Sequence, residues 1–385
     1  FSHPNDCAFI PGLRLTSVHQ TWPCSMATKI DKCRAALEAA LEKGSSSSVQ
    51  AAYTALGQAY YQDQQYTRAL PCFEHLLQLI TSTKSNDDPA SPSHKRAKEE
   101  YAESVVCCRI GLIAIIVKDY TKALVHLNKH LSIVTLNEDK IAQGIACCNI
   151  ALAHEKLGQV PQAVEYHWKA VRIYEEDADS AKQLVAYDNL GRLYNLLGDY
   201  RHTMQCYRKA LALAQTLQAT DMVVTACGQL SKAAQHVGDW RQAVEFLLLE
   251  LTTTRQTGAA GSQVELLHDL AEALYKQREY ANALRYHRET LDVTDPAVPA
   301  DVHHRMLAYK GMGDACHALG QYQQALDHYD QSLLAAQQIE DIAGELTACL
   351  DIGQVQHSAG DYEGALDTFA LALQVPEDSA GDYEG

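Results

Sequence analysis

Proline is scarce in this chain, ten residues in 385. No run alternates apolar and polar residues for long enough to make a strand, so sheets are not expected. No apolar stretch is long enough to cross a membrane as a helix. Catalytic signatures are missing too. There is no phosphate-binding loop, no nucleophile elbow and no His-Glu-x-x-His, and Gly311-Met312-Gly313 lacks the third glycine and preceding strand of a dinucleotide site. Twelve cysteines include no Cys-x-x-Cys pair, which argues against a zinc site. His126 and His130 stand four apart on one expected helix without an evident third ligand. Basic residues stop at Lys310. These absences lead us to expect no enzyme, no cofactor and no metal.

What is present is a repeat. Taking Leu184 as position 1, equivalent positions begin near residues 50, 104, 144, 184, 224, 264, 306 and 346. Position 8 is small throughout: Gly57, Gly111, Ala151, Gly191, Ser231, Ala271, Gly313 and Gly353. Position 17 is aromatic in seven units, from Tyr66 to Tyr362, with Val160 the exception, and position 20 is alanine in all but Thr203. Five units carry glycine at position 15 (Gly158, Gly198, Gly238, Gly320, Gly360), which suits a left-handed residue ending the first of two helices. Each unit therefore reads as a helical hairpin, with small residues where the helices approach. Four cysteines (Cys107, Cys147, Cys227, Cys349) share position 4 and follow the repeat as small buried apolar residues would.

This pattern, with Leu-Gly-x-x-Tyr in the first helix and Tyr-x-x-Ala after the turn, resembles the tetratricopeptide repeat over about residues 50–375. The usual period is 34 residues; here most spacings are 40, and Thr81, Thr135 and Glu175 stand near the usual closing proline. The helices are expected to run about a turn longer. The long form resembles the subgroup found in Pins/LGN-type polarity adaptors, rapsyn and tetratricopeptide repeat protein 28. The resemblance implies an all-α fold: a right-handed superhelical solenoid of about eight hairpins with an N-terminal capping helix.

Outside the repeat, residues 1–27 show no periodicity and read as an extension ahead of a start at Met26. Residues 28–44 carry an apolar stripe (Ile30, Cys33, Leu37, Ala40, Leu41) and are expected to form the capping helix. The solenoid is expected over 49–375, interrupted by a solvated insertion at 83–98 rich in Ser, Asp, Pro and Lys. In the tail, 376–385, Ser379–Gly385 repeats Ser358–Gly364 word for word. That repetition implies a chain cut inside a further unit, or an artefact. Either leaves the eighth unit without a capping helix and open to self-association.

Charge is uneven. Residues 1–256 hold 26 acidic and 26 basic side chains, whereas residues 257–385 hold 22 and 6, which accounts for the whole net charge of −16. The excess is either a solvating face or a surface for a basic partner; it argues against nucleic acid as ligand. Many thiols without a disulfide pattern fit a cytoplasmic setting.

In the resembled family, positions 2, 5, 6, 9 and 12 of the first helices line a concave groove. Carried over, position 6 gives Arg109, Asn149, Asn189 and Gln229, one polar donor per unit, with Arg192 and Lys232 at position 9. Amides offer donor and acceptor to an extended peptide backbone. From His268, Asp269 and Glu272 to Asp314 and Asp351 the groove turns acidic. The expected ligand is an extended protein segment of mixed charge, acidic near units two to five and basic near units six to eight. Polar residues on an exposed face also need no ligand. A carboxylate clamp of the co-chaperone kind is rejected, since of Cys148, Leu152, Asn189, Thr225 and Gln229 only Asn189 fits cleanly. A structural scaffold, assembling through the eighth unit or the convex surface, is the competing expectation.

Overall fold

The computed structural model describes residues 25–85, 93–258 and 263–373. The described residues form α-helices only. In chain order they are α1 (Ser25–Lys43), α2 (Ser46–Gln62), α3 (Tyr66–Ser85), α4 (Ser93–Ile116), α5 (Tyr120–Leu136), α6 (Lys140–Lys156), α7 (Val160–Glu176) and α8 (Ser180–Leu196). Then follow α9 (Tyr200–Thr216), α10 (Thr220–Val237), α11 (Trp240–Thr257), α12 (Gln263–Lys276), α13 (Tyr280–Val293), α14 (Pro299–Ala318), α15 (Tyr322–Gln338), α16 (Ile342–Ala359) and α17 (Tyr362–Ala372). After α1, seven hairpins lie within one body or the other, α2–α3, α4–α5, α6–α7, α10–α11, α12–α13, α14–α15 and α16–α17.

The chain divides into two compact bodies, Phe1–Asp199 and Tyr200–Gly385. In each, every helix packs on the next in sequence, α1 through α8 in the first and α9 through α17 in the second. First helices of neighbouring hairpins also touch, α4 on α6, α12 on α14 and α14 on α16. Repeat four is divided, α8 closing the first body and α9 opening the second.

The forty-residue period has a simple origin. From α5 to α9 each helix is 17 residues long and each turn takes three. A repeat is thus two twenty-residue halves built alike. Position 15 is left-handed in all eight repeats: the five glycines, plus Gln64, Lys118 and Arg278. Position 35, ending the second helix, is left-handed too at Glu138, Ala178, Gln218, Gly258 and Glu340. The next residue is often aspartate, whose carboxylate accepts an N–H of the following helix, as in Asp119, Asp139, Asp179, Asp239, Asp341 and Asp361. With no proline at position 32, nothing stops the second helix before that turn.

The small residues do what their spacing implies. A Cβ on Gly111 would lie 2.5 Å from Leu127 Cγ, one on Gly313 2.6 Å from the Tyr329 ring, and one on Gly353 2.5 Å from the Phe369 ring. In each case position 8 of the first helix receives the large side chain at position 24 of the second. The alanines at position 20 are buried throughout, as is Thr203. Cys107 and Cys148 in the first body and Cys227 in the second are buried, and burial pushes their thiols up to about 11, 12 and 12, so they are inert apolar packing.

Two boundaries differ from expectation. The insertion at 83–98 is mostly helical, because α3 runs to Ser85 and α4 starts at Ser93. Lys95, Arg96, Lys98, Glu99 and Glu100 are good helix formers and extend α4 well ahead of its repeat register. Only 86–92 remains, outside the described residues, as do residues 1–24 of the expected extension and the 376–385 tail. The helix expected over 28–44 is α1, which starts earlier, at Ser25, and is followed by Gly44 at φ +65°, with Ile30 and Ala40 buried.

Candidate functional site

The residues carried over from the groove positions sit on first helices, α4, α6 and α8 in the first body and α10, α12, α14 and α16 in the second. In the first body the face is largely closed. Burial runs unbroken over 103–108 and 110–115 on α4 and over 144–151 on α6, so both helices are apolar nearly all round and covered nearly all round. Asn149 is 2 % exposed, and its Nδ2 finds no acceptor. As it stands, this amide lies under its neighbours rather than on an open surface. Arg109 is half-buried; its guanidinium donates to Gln58 Oε1 on α2 and sits 5.9 Å from the Phe73 ring centre. Asn189 is half-buried.

Arg192 corrects an expectation. Its two terminal nitrogens donate to both carboxylate oxygens of Glu155, at 2.8 and 2.6 Å. Glu155 is a neighbour from α6, at position 12 of repeat three. Burial would raise its pKa, but the paired hydrogen bonds and charge of Arg192 outweigh burial and hold it below the usual range. The positive charge expected for an incoming acidic segment is therefore already matched from within.

In the second body the same face is more open and more charged. Gln229 is half-buried and Lys232 exposed on α10. Beside them, Gly228 leaves a gap into which the Glu250 carboxylate reaches from α11, Oε1 lying 3.1 Å from where a Cβ would stand. Burial pushes Glu250 up to about 7, against the pull of Lys232 and with help from Asp269. On α12, burial raises Asp269 and lowers His268, the latter opposed by Glu272 and Asp269. Glu272 is exposed. On α14, Lys310 Nζ reaches Asp314 Oδ2 at 3.0 Å and Asp351 Oδ2 of α16 at 3.5 Å, while Tyr329 donates to Asp314 Oδ1 at 2.6 Å. The last cation of the chain thus offsets two of the expected acidic residues, a second correction to the charge picture.

The structure brings together Lys232 with Asp269, His268 with Asp269 and Glu272, and Asp314 with Asp351. Two residues on this face escape sequence reasoning, Glu250 and His287, because both come from second helices. The signal was a glycine at each groove position above them, Gly228 and Gly311. His130, half of the suspected metal pair, binds Ser104 Oγ at 2.8 Å through Nδ1. Among the described residues no group of three or more His, Cys, Asp or Glu is placed to hold a metal ion, and no helix is long and apolar enough to cross a membrane.

Family models described as tetratricopeptide repeat match residues 52–87, 145–216, 264–294 and 304–378. Together they take in more than half of the chain. It is a tetratricopeptide-repeat protein. No curated protein sequence matches it. Among solved structures, the repeat protein shares 15 % identity with the C-terminal part of a TPR repeat-containing protein from Cytophaga hutchinsonii, covering 71 % of this chain and 96 % of that one at a TM-score of 0.49. A STAND signal-transduction ATPase with a tetratricopeptide repeat sensor, from Pyrococcus horikoshii, is 14 % identical over 84 % of this chain and 52 % of its own, also at 0.49. BtubC from P. vanneervenii is 19 % identical over 59 % and 92 %, at 0.45.

Proposed function

We propose that this tetratricopeptide-repeat protein is a non-enzymatic adaptor that holds an extended segment of a protein partner along its first helices. Repeats of this family generally mediate protein–protein interaction. The observation that carries the finer reading is the charge of the second body's first-helix face: among the described residues Asp269 and Glu272 form no ion pair, and the half-buried Glu250 carboxylate adds to them. Such a face favours a basic segment by Coulomb attraction and by desolvation shared with a cation. For the acidic half of the expected ligand Arg192 is engaged by Glu155 and Asn149 is covered; Asn189 remains in the first body, and Gln229 and Lys232 in the second. A cytoplasmic setting fits the many unpaired thiols. The forty-residue period is the reason to group the chain with the Pins/LGN, rapsyn and tetratricopeptide repeat protein 28 subgroup.

The test is binding of labelled peptides, read by fluorescence anisotropy at low and moderate salt. Basic extended peptides bind the parent, and Asp269→Asn with Glu272→Gln weakens them about tenfold, without change in helicity or melting. Unaltered affinity in the double variant would remove this reading. The scaffold alternative draws on a different observation: α17 exposes Tyr362, Leu366 and Leu371, and the exposed Leu373 follows it. Sedimentation across a range of concentrations separates the two, a strict monomer that captures peptide leaving only the adaptor.

A further inference from the structure

Gly311 occupies position 6 of repeat seven. A Cβ there would stand 2.2 Å from His287 Nε2, 2.4 Å from its Cε1 and 2.9 Å from its Cδ2. The imidazole of the second helix α13 thus takes the place of a side chain on the first helix α14, touching the very position that elsewhere carries Asn, Gln or Asp. His287 is 3 % exposed, and its Nδ1 has no hydrogen-bond partner. Its ring centre lies 6.0 Å from that of His268 on α12, the planes tilted by 57°, and His268 Nδ1 is also unpartnered. Carboxylates flank the pair: Asp269 and Glu272 act on His268, and Asp314 acts on His287.

The chemistry of this set selects its ligand. A buried ring nitrogen left without a partner is costly; such atoms also occur at His126, His130 and His167, and what sets His268 and His287 apart is that their rings lie together beside carboxylates on the more open face. Burial holds His287 down at about 4, so the ring is neutral and offers a lone pair as well as an N–H. Beside it, Asp269 feels Lys232 without forming an ion pair and Glu272 forms none among the described residues, whereas Lys310 is engaged by Asp314 and Asp351. The absent partner is therefore a donor with positive charge. A metal ion is not the fit, because no three ligating groups converge among the described residues. An ammonium is compact and strongly hydrated, so seating it against a buried ring is expensive. A guanidinium is planar and weakly hydrated, stacks on a ring, and carries five N–H groups that can serve an imidazole nitrogen and two carboxylates together.

We propose that the face between α12 and α14, formed by His268, His287, Asp269 and Glu272, is a seat for an arginine side chain of the bound partner segment. This rests on the peptide-binding reading above and names the residue that the acidic half selects.

The experiment uses the full chain and three fluorescein-labelled peptides of repeating Gly-Ser-Arg, Gly-Ser-Lys and Gly-Ser-citrulline, titrated at low ionic strength. The arginine peptide binds about tenfold tighter than the lysine peptide, and the uncharged citrulline peptide binds weaker than either. Gly311→Ala, which displaces the His287 ring, and His268→Ala each reduce arginine to parity with lysine while lysine affinity holds. Should Gly311→Ala lose helicity, His268→Ala and the exposed Glu272→Gln decide alone, Glu272→Gln costing the arginine peptide more than the lysine one. Equal affinity for arginine and lysine in the parent overturns the seat but leaves a basic-peptide groove standing. Binding of neither cationic peptide overturns the groove reading and the seat with it.

Discussion

The same helical register produces a closed face in the first body and an open, charged one in the second. On α4 and α6 the groove positions carry Val105, Cys108, Leu112, Ile145 and Cys148, all buried, and the buried carboxylate Glu155 is answered by Arg192. On α10 and α14 two of those positions are glycine, and beside them stand Glu250 and His287 from the second helices, the latter with Nδ1 unpartnered among the described residues. Identical backbone geometry therefore says little about recognition. What differs is how open and how charged the face is, since buried polar atoms without a hydrogen-bond partner occur in both bodies, at His126, His130, Asn149 and His167 in the first and at His268, Gln277, His287 and Asp351 in the second.

Acid is the strongest way to separate the bodies. Burial holds His130 and His167 in the first body and His287 in the second down at about 4, and also lowers His126 in the first and His268 and His328 in the second, so histidines weaken both bodies in acid and the carboxylates separate them. An unfolded histidine titrates near its ordinary 6.5, so between there and 4 the unfolded chain binds protons that the folded one refuses. Stability from each of the three held at about 4 is complete above 6.5 and falls as pH drops toward 4, by roughly 3 kcal/mol per histidine. In the first body Glu155, Asp119 and Asp179 are also held low by their partners, and that contribution fades as pH falls through their range. In the second body Glu250, Asp269 and Asp351 are raised by burial, and the sign reverses: protonation favours the folded state. The first body is expected to unfold at the higher pH. Trp168 reports the first body and Trp240 the second, so single-tryptophan variants followed by fluorescence from pH 7 to about 3 will show the order. Coincident transitions would dissolve the contrast.

The two buried carboxylates give the next largest effect. Arg192→Ala leaves Glu155, 11 % exposed, without its bidentate partner and is expected to cost about 2 kcal/mol, between the values for surface and fully buried pairs. Glu250→Gln removes a carboxylate that has no such partner. It is expected to stabilise at pH 8 by up to about 1 kcal/mol, a value discounted for the solvent that reaches it, and by much less at pH 5, where the native group is already protonated and only the unfolded one is still ionised. Urea unfolding at the two pH values measures both.

Much of the fold was legible because it rests on steric requirements that a single residue reveals. Gly57, Gly111, Gly313 and Gly353 announce close approach, Ala69 through Ala365 announce the seam, and Gly158, Gly198, Gly238, Gly320 and Gly360 announce a left-handed turn. The second left-handed turn, at position 35, was invisible, since Glu138, Ala178, Gln218 and Glu340 carry no such mark. The site was less legible. Position 6 was read as exposed, yet whether Asn149 meets solvent depends on which neighbours cover it, and that is a property of packing. Likewise, the pairing of Arg192 with Glu155, or of Lys310 with Asp314 and Asp351, joins different positions of neighbouring repeats, which no within-repeat periodicity encodes.

The turns allow the finest comparison, between residues that share one backbone state but not one chemistry. At position 15 of repeat three stands Gly158, φ +74°, and no atom lies within 4 Å of where its Cβ would be. At the same position of repeat two stands the exposed Lys118, φ +67°. Because there is nothing to clash with, Gly158→Ala isolates the intrinsic cost of a side chain in the left-handed region, about 1 kcal/mol of destabilisation. Lys118→Gly should return a similar amount, reduced by the extra freedom glycine gives the unfolded chain. Both are read by urea unfolding at neutral pH, far from the carboxylates that move with acid. If Lys118→Gly instead weakens the first body, the lysine stem contributes packing on its own turn, and the left-handed state at position 15 is held by contacts rather than tolerated against strain.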